Sequence, residues 1–178
     1  MRSLSVAVIL AACLLVAATG EAGLKVGDRA PEFALPAATR DSILSAKAGP
    51  ADYAGKRVVI LAFYPADWSG GCTKEMCTLR DNFTDLGTLG AVVLGISGDY
   101  VYSHREWARA LDLPFTLLSD HNHAVARTYE SIAEGRDQNL RTIYVIDTRG
   151  LIAYIDPAYK AGTPESFDAL RQALKSIH

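Results

Sequence analysis

Cysteine is scarce in this chain: three residues in 178, at Cys13, Cys72 and Cys77. So few exclude a miniature fold stapled by disulfides, and a 49 % apolar content lets one domain bury a core of its own. A surplus of either charge is missing too. Lys and Arg total 18 against 20 Asp and Glu, a formal −2, and the basic residues are scattered. That balance lacks the electrostatic footprint of a nucleic-acid binder, so nucleic acid is not an expected partner. No apolar run reaches the roughly 20 residues of a membrane-spanning helix. Repeats, low-complexity tracts and interdomain linkers are lacking from Leu24 onward, which leaves one domain.

What is present begins with an N-terminal segment unlike the rest. Arg2, an apolar stretch from Leu4 to Ala18 and the small residues of Ala18-Thr19-Gly20-Glu21-Ala22 have the order of a secretory signal peptide. Read so, residues 1–22 are the signal, cleavage follows Gly20 or Ala22, and residues 23–178 are exported, periplasmic or secreted. A second reading takes Leu10-Ala11-Ala12-Cys13 as a bacterial lipoprotein box that lipidates Cys13, although Leu14-Leu15-Val16 continues the apolar run past it. An uncleaved anchor is a third. A membrane is a partner only if this segment is retained or lipidated. Once it is removed, Cys72 and Cys77 remain, in a compartment that permits disulfides.

Short apolar runs bounded by turn residues, at Val58 to Tyr64, Ala91 to Ile96, Thr142 to Asp147 and Leu151 to Ile155, read as strands buried on both faces. Helices fall between them. Met76, Leu79 and Phe83 recur at helical spacing over Cys72 to Phe83, and Ser103 with Glu106 has capping-box spacing for a helix to about Leu111. A short helix is expected around Asn122 to Tyr129, and Thr163-Pro164 opens a final one. Thr148-Arg149-Gly150 forces an antiparallel hairpin, and Ala37 to Pro50 reads as a polar, small-residue loop. The order gives an α/β fold of three layers, a mixed central sheet with helices on both faces, as in thioredoxin-like folds. Such folds host many chemistries, so function has to come from the site.

The site is Phe63-Tyr64-Pro65-Ala66-Asp67-Trp68-Ser69-Gly70-Gly71-Cys72-Thr73-Lys74-Glu75-Met76-Cys77: a buried strand, a glycine-bearing loop, and a helix beginning near Cys72. Unpaired backbone N–H groups and the positive end of the helix dipole favour a thiolate there, and the thiolate is the reactive form. A peroxide needs that thiolate in line with its O–O bond, donors for both oxygens, and stabilisation of the leaving alkoxide. Ser69 offers a hydroxyl, Gly71 and Cys72 offer backbone N–H groups, and Arg141, just before the strand at Thr142, offers a fixed charge. Cys77 lies five residues after Cys72, an offset that separates Cα atoms by about 8 to 9 Å on an intact helix. A disulfide requires less than roughly 7 Å, so the pair bridges only if the first turns unwind. This mechanism calls for a solvent-reachable sulfur and for Arg141 beside it.

Pro65, Ser69 and Cys72 match the active-site pattern of the peroxiredoxin family: proline, three residues, threonine or serine, two residues, cysteine. Thr73 to Asp81 resembles its bacterioferritin-comigratory, or peroxiredoxin Q, branch, and so do Gly27 to Leu35, Leu113 to Asp120 and Arg141 to Asp147. The resemblance implies a thiol peroxidase, a monomer or weak homodimer, that reduces hydrogen peroxide and organic hydroperoxides. Cys72 is then peroxidatic, Cys77 resolving, Ser69 and Arg141 peroxide-orienting, and Pro65 the shield of the pocket. A thioredoxin-like dithiol would recycle it, with no metal or organic cofactor. Three departures stand out: Gly70 in place of the branch's usual proline, Glu130 in place of the glycine after the tyrosine, and a short segment from Ser131 to Leu140.

Other uses of the same residues compete. The two cysteines could form a static disulfide, strained across that offset. An exported thiol-disulfide oxidoreductase is suggested by Trp68-Ser69-Gly70-Gly71-Cys72, but Ser69 stands where the attacking cysteine of a Trp-Cys-x-x-Cys motif belongs. A thioredoxin-fold copper chaperone would use both cysteines and a histidine, with three residues between the cysteines rather than the four found here. His121 and His123 make a His-x-His pattern, read here as a helix start. Taken singly, Ser69 suits a turn or cap, Arg141 a surface ion pair, and Pro65 a strand end.

Overall fold

The computed structural model describes residues 23–133 and 135–177. The expected signal segment, its cleavage positions and Cys13 lie outside the described residues. Among the described residues no helix is long and apolar enough to cross a membrane.

Val58-Val59-Ile60-Leu61-Ala62-Phe63 forms β2 (Val58–Phe63), with every residue buried. Its neighbours are β3 (Ala91–Ser97), parallel to it, and β5 (Thr142–Ile146), antiparallel. The strand β4 (Thr116–Ser119) adds parallel to β3, β6 (Ile152–Asp156) adds antiparallel to β5, and β1 (Ala37–Ala38) closes the far edge on β4. The mixed six-stranded sheet therefore runs β1-β4-β3-β2-β5-β6, with β2 near its middle.

Both faces of that sheet carry core because the central strands are apolar without alternation. Val58, Ile60 and Ala62 share one cluster with Met76 and Leu79 of α1 (Gly70–Asp81), Leu86 of α2 (Phe83–Thr88), Trp107 of α3 (Val101–Ala110), and Phe167, Leu170 and Leu174 of α5 (Pro164–Lys175). Val59, Leu61 and Phe63 point the other way, onto Val125 and Ala126 of α4 (Ala124–Thr128) and onto Ala30, Ala37 and Ala48 of the N-terminal arm. The expected three-layer arrangement is present.

Where boundaries differ, side-chain hydrogen bonding explains most of the difference. The first helix stops at Asp81 because Asn82 Nδ2 donates to Thr78 O at 2.9 Å, and Phe83 opens a separate turn. The helix expected from Ser103 starts at Val101, with Tyr100 as its cap; the Ser103 hydroxyl is engaged elsewhere. The loop expected over Ala37 to Pro50 contains β1 and isolated bridges from Ala38 to Ile43 and from Leu35 to Ala48, pairings too short to leave a periodic pattern. At the hairpin, Asp147 accepts from Arg149 N at 2.9 Å and Leu151 N at 3.0 Å, and Gly150 takes φ 81°, the left-handed conformation that glycine adopts freely.

Candidate active site

β2 ends in the centre of the sheet, and the chain then runs through Tyr64 and the loop Pro65–Ser69 into α1. Trp68 holds φ 61°, a left-handed conformation costly for a side chain of this size, and its ring is largely exposed. Ser69 is extended at φ −79°, ψ 143° and stands in the N-cap position. The first bond of the helix runs from Thr73 N to Ser69 O at 2.9 Å, which leaves the N–H groups of Gly70, Gly71 and Cys72 in the unpaired first turn.

Cys72, third residue of α1, is 0 % exposed, against the sequence expectation of a solvent-reachable sulfur. Helical spacing is the reason: Cys72, Glu75, Met76 and Leu79 make one stripe, and that stripe faces the sheet. The expectation about Arg141 holds. In the antiparallel register Thr142 sits opposite Phe63, which sets Arg141 at the point where β2 gives way to the loop. Its Nη2 donates to Cys72 Sγ at 3.6 Å, while Nη1 pairs with Glu75 Oε2. Gly71 leaves room for this, since a Cβ there would come within 3.1 Å of Arg141 Nη2.

Glu75 is a site residue that the sequence reading passed over. Its carboxyl is fully buried, and burial pushes its pKa up to about 7 in spite of Arg141. Arg141 is held above its ordinary value: burial works to lower it, but Glu75 and Cys72 outweigh that. Among the described residues Glu75 Oε1 and the hydroxyl of buried Tyr159 have no hydrogen-bond partner, and Tyr159 N donates to Arg141 O at 3.0 Å. A signal for Glu75 did exist, an acid on an otherwise inward apolar stripe.

The Ser69 hydroxyl proton is engaged within the loop. Ser69 Oγ donates to Ala66 O at 3.0 Å, so its lone pairs are what it offers to an incoming O–H. Pro65 is half-buried and, with Ala66, Gly98, Asp99, His121, His123, Asp137 and Gln138, lines a pocket of about 400 Å³. Cys77 is a free, partly buried thiol on the unbroken α1, five positions from Cys72. No group of three or more His, Cys, Asp or Glu side chains suited to a metal occurs among the described residues.

A central strand, a strained loop and an inward cysteine beneath a forked guanidinium define a thiol protein of thioredoxin-like fold. The sequence pattern of the AhpC/TSA family matches residues 26–155, and the chain belongs to that family. It is 40 % identical over 146 residues to a putative peroxiredoxin bcp of Coxiella burnetii, covering 77 % of this chain and 91 % of that one. It is 43 % identical over 101 residues to the chloroplastic peroxiredoxin Q of Oryza sativa subsp. japonica, covering 56 % of this chain and 46 % of that one, so it spans about half of the plant protein. Among solved structures, the peroxidoxin BcpB of Mycobacterium tuberculosis superposes with a TM-score of 0.76 at 26 % identity, covering 87 % of this chain and 99 % of that one.

Two departures from the branch pattern have a structural meaning. Glu130 adopts φ 52°, the conformation that the usual glycine accepts without strain. Gly70 is the first helical residue, follows an extended Ser69, and has nothing within 4 Å of where a Cβ would stand. Proline suits such a position. Gly70→Pro should therefore raise stability by about 0.4 to 1 kcal/mol through a less free unfolded chain. Chemical denaturation checks this, and a loss of stability would mean that the Gly70 N–H is in use.

Proposed function

We propose that this thiol-dependent peroxidase uses Cys72 as the peroxidatic and Cys77 as the resolving cysteine. The observation that carries the assignment is the Arg141 guanidinium, 3.6 Å from a sulfur in the first turn of a helix that also carries Cys77. The Cys72 thiolate attacks the terminal oxygen of ROOH, the O–O bond breaks, and RO⁻ leaves as ROH after taking a proton, giving Cys72–SOH. Arg141, the Gly71 and Cys72 N–H groups and the Ser69 oxygen hold the two peroxide oxygens, and Pro65 walls the approach. The Cys77 thiol then displaces water from the sulfenic acid. A thioredoxin-like dithiol reduces the resulting disulfide by exchange.

Access to the buried sulfur is part of this reading: a hydroperoxide enters where the Arg141 side chain and the loop part. Among the described residues no copper donor set, and at position 69 no second cysteine, supports the rival assignments. Export rests on the Arg2-led apolar segment alone, and the mature N-terminus, at residue 21, 23 or Cys13, decides its form.

Adding one equivalent of hydrogen peroxide to the reduced protein should consume both mature thiols and yield a single Cys72–Cys77 peptide. Peptide mass mapping reads the outcome. Peroxide consumption with both thiols left free would refute the cycle.

A further inference from the structure

His104 and Asp67 do no chemistry in the cycle above, yet they are a fully buried hydrogen-bonded pair, Nδ1 to Oδ2 at 2.9 Å, with both side chains 0 % exposed. Asp67 lies in the middle of the loop that leads to Cys72. Its carboxylate also accepts from Tyr64 OH at 2.9 Å and from Ser103 Oγ at 2.7 Å, and its own N–H donates to Asp99 Oδ2 at 2.8 Å. Burial and the Asp67 carboxylate hold the Tyr64 phenol well above its ordinary pKa, so that hydroxyl stays a donor. Asp99 is fixed in turn by Ser97 Oγ at 2.7 Å. Both ring nitrogens of His104 face acceptors, because Nε2 meets Leu118 O at 3.1 Å. Next along the loop, Trp68 Nε1 donates to Ser103 Oγ at 3.2 Å.

The loop is thus clamped to the first turn of α3, and the clamp encloses the one left-handed residue in it, Trp68. Such a conformation persists only where surrounding contacts over-determine it. Releasing the clamp releases Trp68, and with it Ser69 and the start of α1. That is the motion that Cys77 needs, since the two cysteines cannot bridge on an intact helix.

We propose that Asp67, Ser103 and His104 form a latch that sets how often the Cys72 loop opens, and hence how fast Cys77 resolves the sulfenic acid. His104 and Ser103 are positioning residues. The proposal rests on the cysteine roles given above. While the latch is closed, the sulfenic acid waits beside Arg141, where a second ROOH can transfer an oxygen to it, giving the sulfinic acid Cys72–SO₂H and ROH. A tight latch therefore slows resolution and exposes the enzyme to overoxidation.

Population arithmetic separates this from general damage. If the open form is about 1 % populated, a tenfold shift makes it about 10 %, so resolution speeds up tenfold while the closed, peroxide-reactive form falls by only about a tenth. Losing one hydrogen bond to a charged group shifts an equilibrium by about tenfold or more.

The test uses the full mature chain, stopped-flow mixing with hydrogen peroxide, and tryptophan fluorescence, with Trp68 as the loop reporter. In Ser103→Ala the first, peroxide-dependent phase should change by less than about twofold and the second, peroxide-independent phase should quicken by about tenfold. Ser103→Thr should restore the slow second phase. The sulfinic fraction formed at excess peroxide should drop in step. His104→Gln should act in the same direction, with hydrogen exchange accelerated at residues 66–76 and unchanged in β2 and β3. An unchanged second phase together with unchanged exchange at 66–76 in Ser103→Ala would overturn the latch. So would a His104→Gln protein in which both phases slow and exchange rises evenly across the sheet. If neither wild type nor variant consumes peroxide, the cysteine assignment fails, and exchange at 66–76 still decides the latch.

Discussion

Cys72→Ser should reduce hydroperoxide consumption to the uncatalysed background, while Cys77→Ser should consume one equivalent and stop. The first effect is on the order of 10⁴ to 10⁶ in rate, the scale of deleting a nucleophile. A serine hydroxyl at position 72 would sit under the same guanidinium and on the same first turn, but it does not ionise at neutral pH, and the O–O bond meets no electron pair able to displace ROH. In the proposed cycle everything else in the pocket only holds and polarises the peroxide. The second variant keeps the attacking sulfur and loses the group that removes oxygen from it, so Cys72–SOH accumulates and is trapped by a 1,3-dione reagent. Coupled consumption of a dithiol, followed beside that trapping, distinguishes the two. Full multiple turnover by Cys77→Ser would show that resolution comes from elsewhere, and residual catalysis by Cys72→Ser would remove the assignment of the nucleophile.

Arg141→Ala is expected to lower the rate of peroxide attack by about 10² to 10³, the loss that follows removal of a preorganised donor from a developing charge. Lysine should not restore it: one guanidinium reaches Cys72 with Nη2 and Glu75 with Nη1, and a single ammonium cannot span both. The Glu75 side of this fork has its own signature. Its pKa rises from 4.5 to about 7 because burial penalises the charged form more than Arg141 favours it. A carboxyl whose folded value lies above its unfolded one stabilises the fold fully below about pH 4.5 and loses that contribution as pH climbs through about 7. The difference is on the order of 3 kcal/mol. Denaturant titrations at about pH 5 and about pH 8 should thus show a decline that Glu75→Gln abolishes. A wild type equally stable at both would mean that Arg141 holds Glu75 ionised throughout.

Most of the sheet could be read from composition alone because its central strands are apolar on both faces and bounded by turns. β4 and β1 escaped because four and two residues leave no usable period. The candidate site was legible in part. Cys72, Ser69, Pro65 and Arg141 were named from spacing and resemblance, and the register of β5 on β2 brings Arg141 to the sulfur. The direction of the sulfur was legible as well: Cys72, Met76 and Leu79 stand at helical spacing on one apolar stripe, whereas a place at the helix N-terminus bears on the charge of the sulfur and not on its exposure. Asp67 and His104 are 37 positions apart and belong to no local pattern, so only the packing of α3 beside the loop reveals them.

An inward Cys72 also means that the proposed nucleophile is a member of the apolar interior, shoulder to shoulder with Tyr64, Met76 and Leu79. In the proposed cycle that interior must be partly dismantled and then rebuilt each time the disulfide forms. The enzyme's durability and its turnover therefore draw on the same few side chains, and a substitution that tightens the packing around Met76 would slow the cycle even as it hardened the molecule against heat.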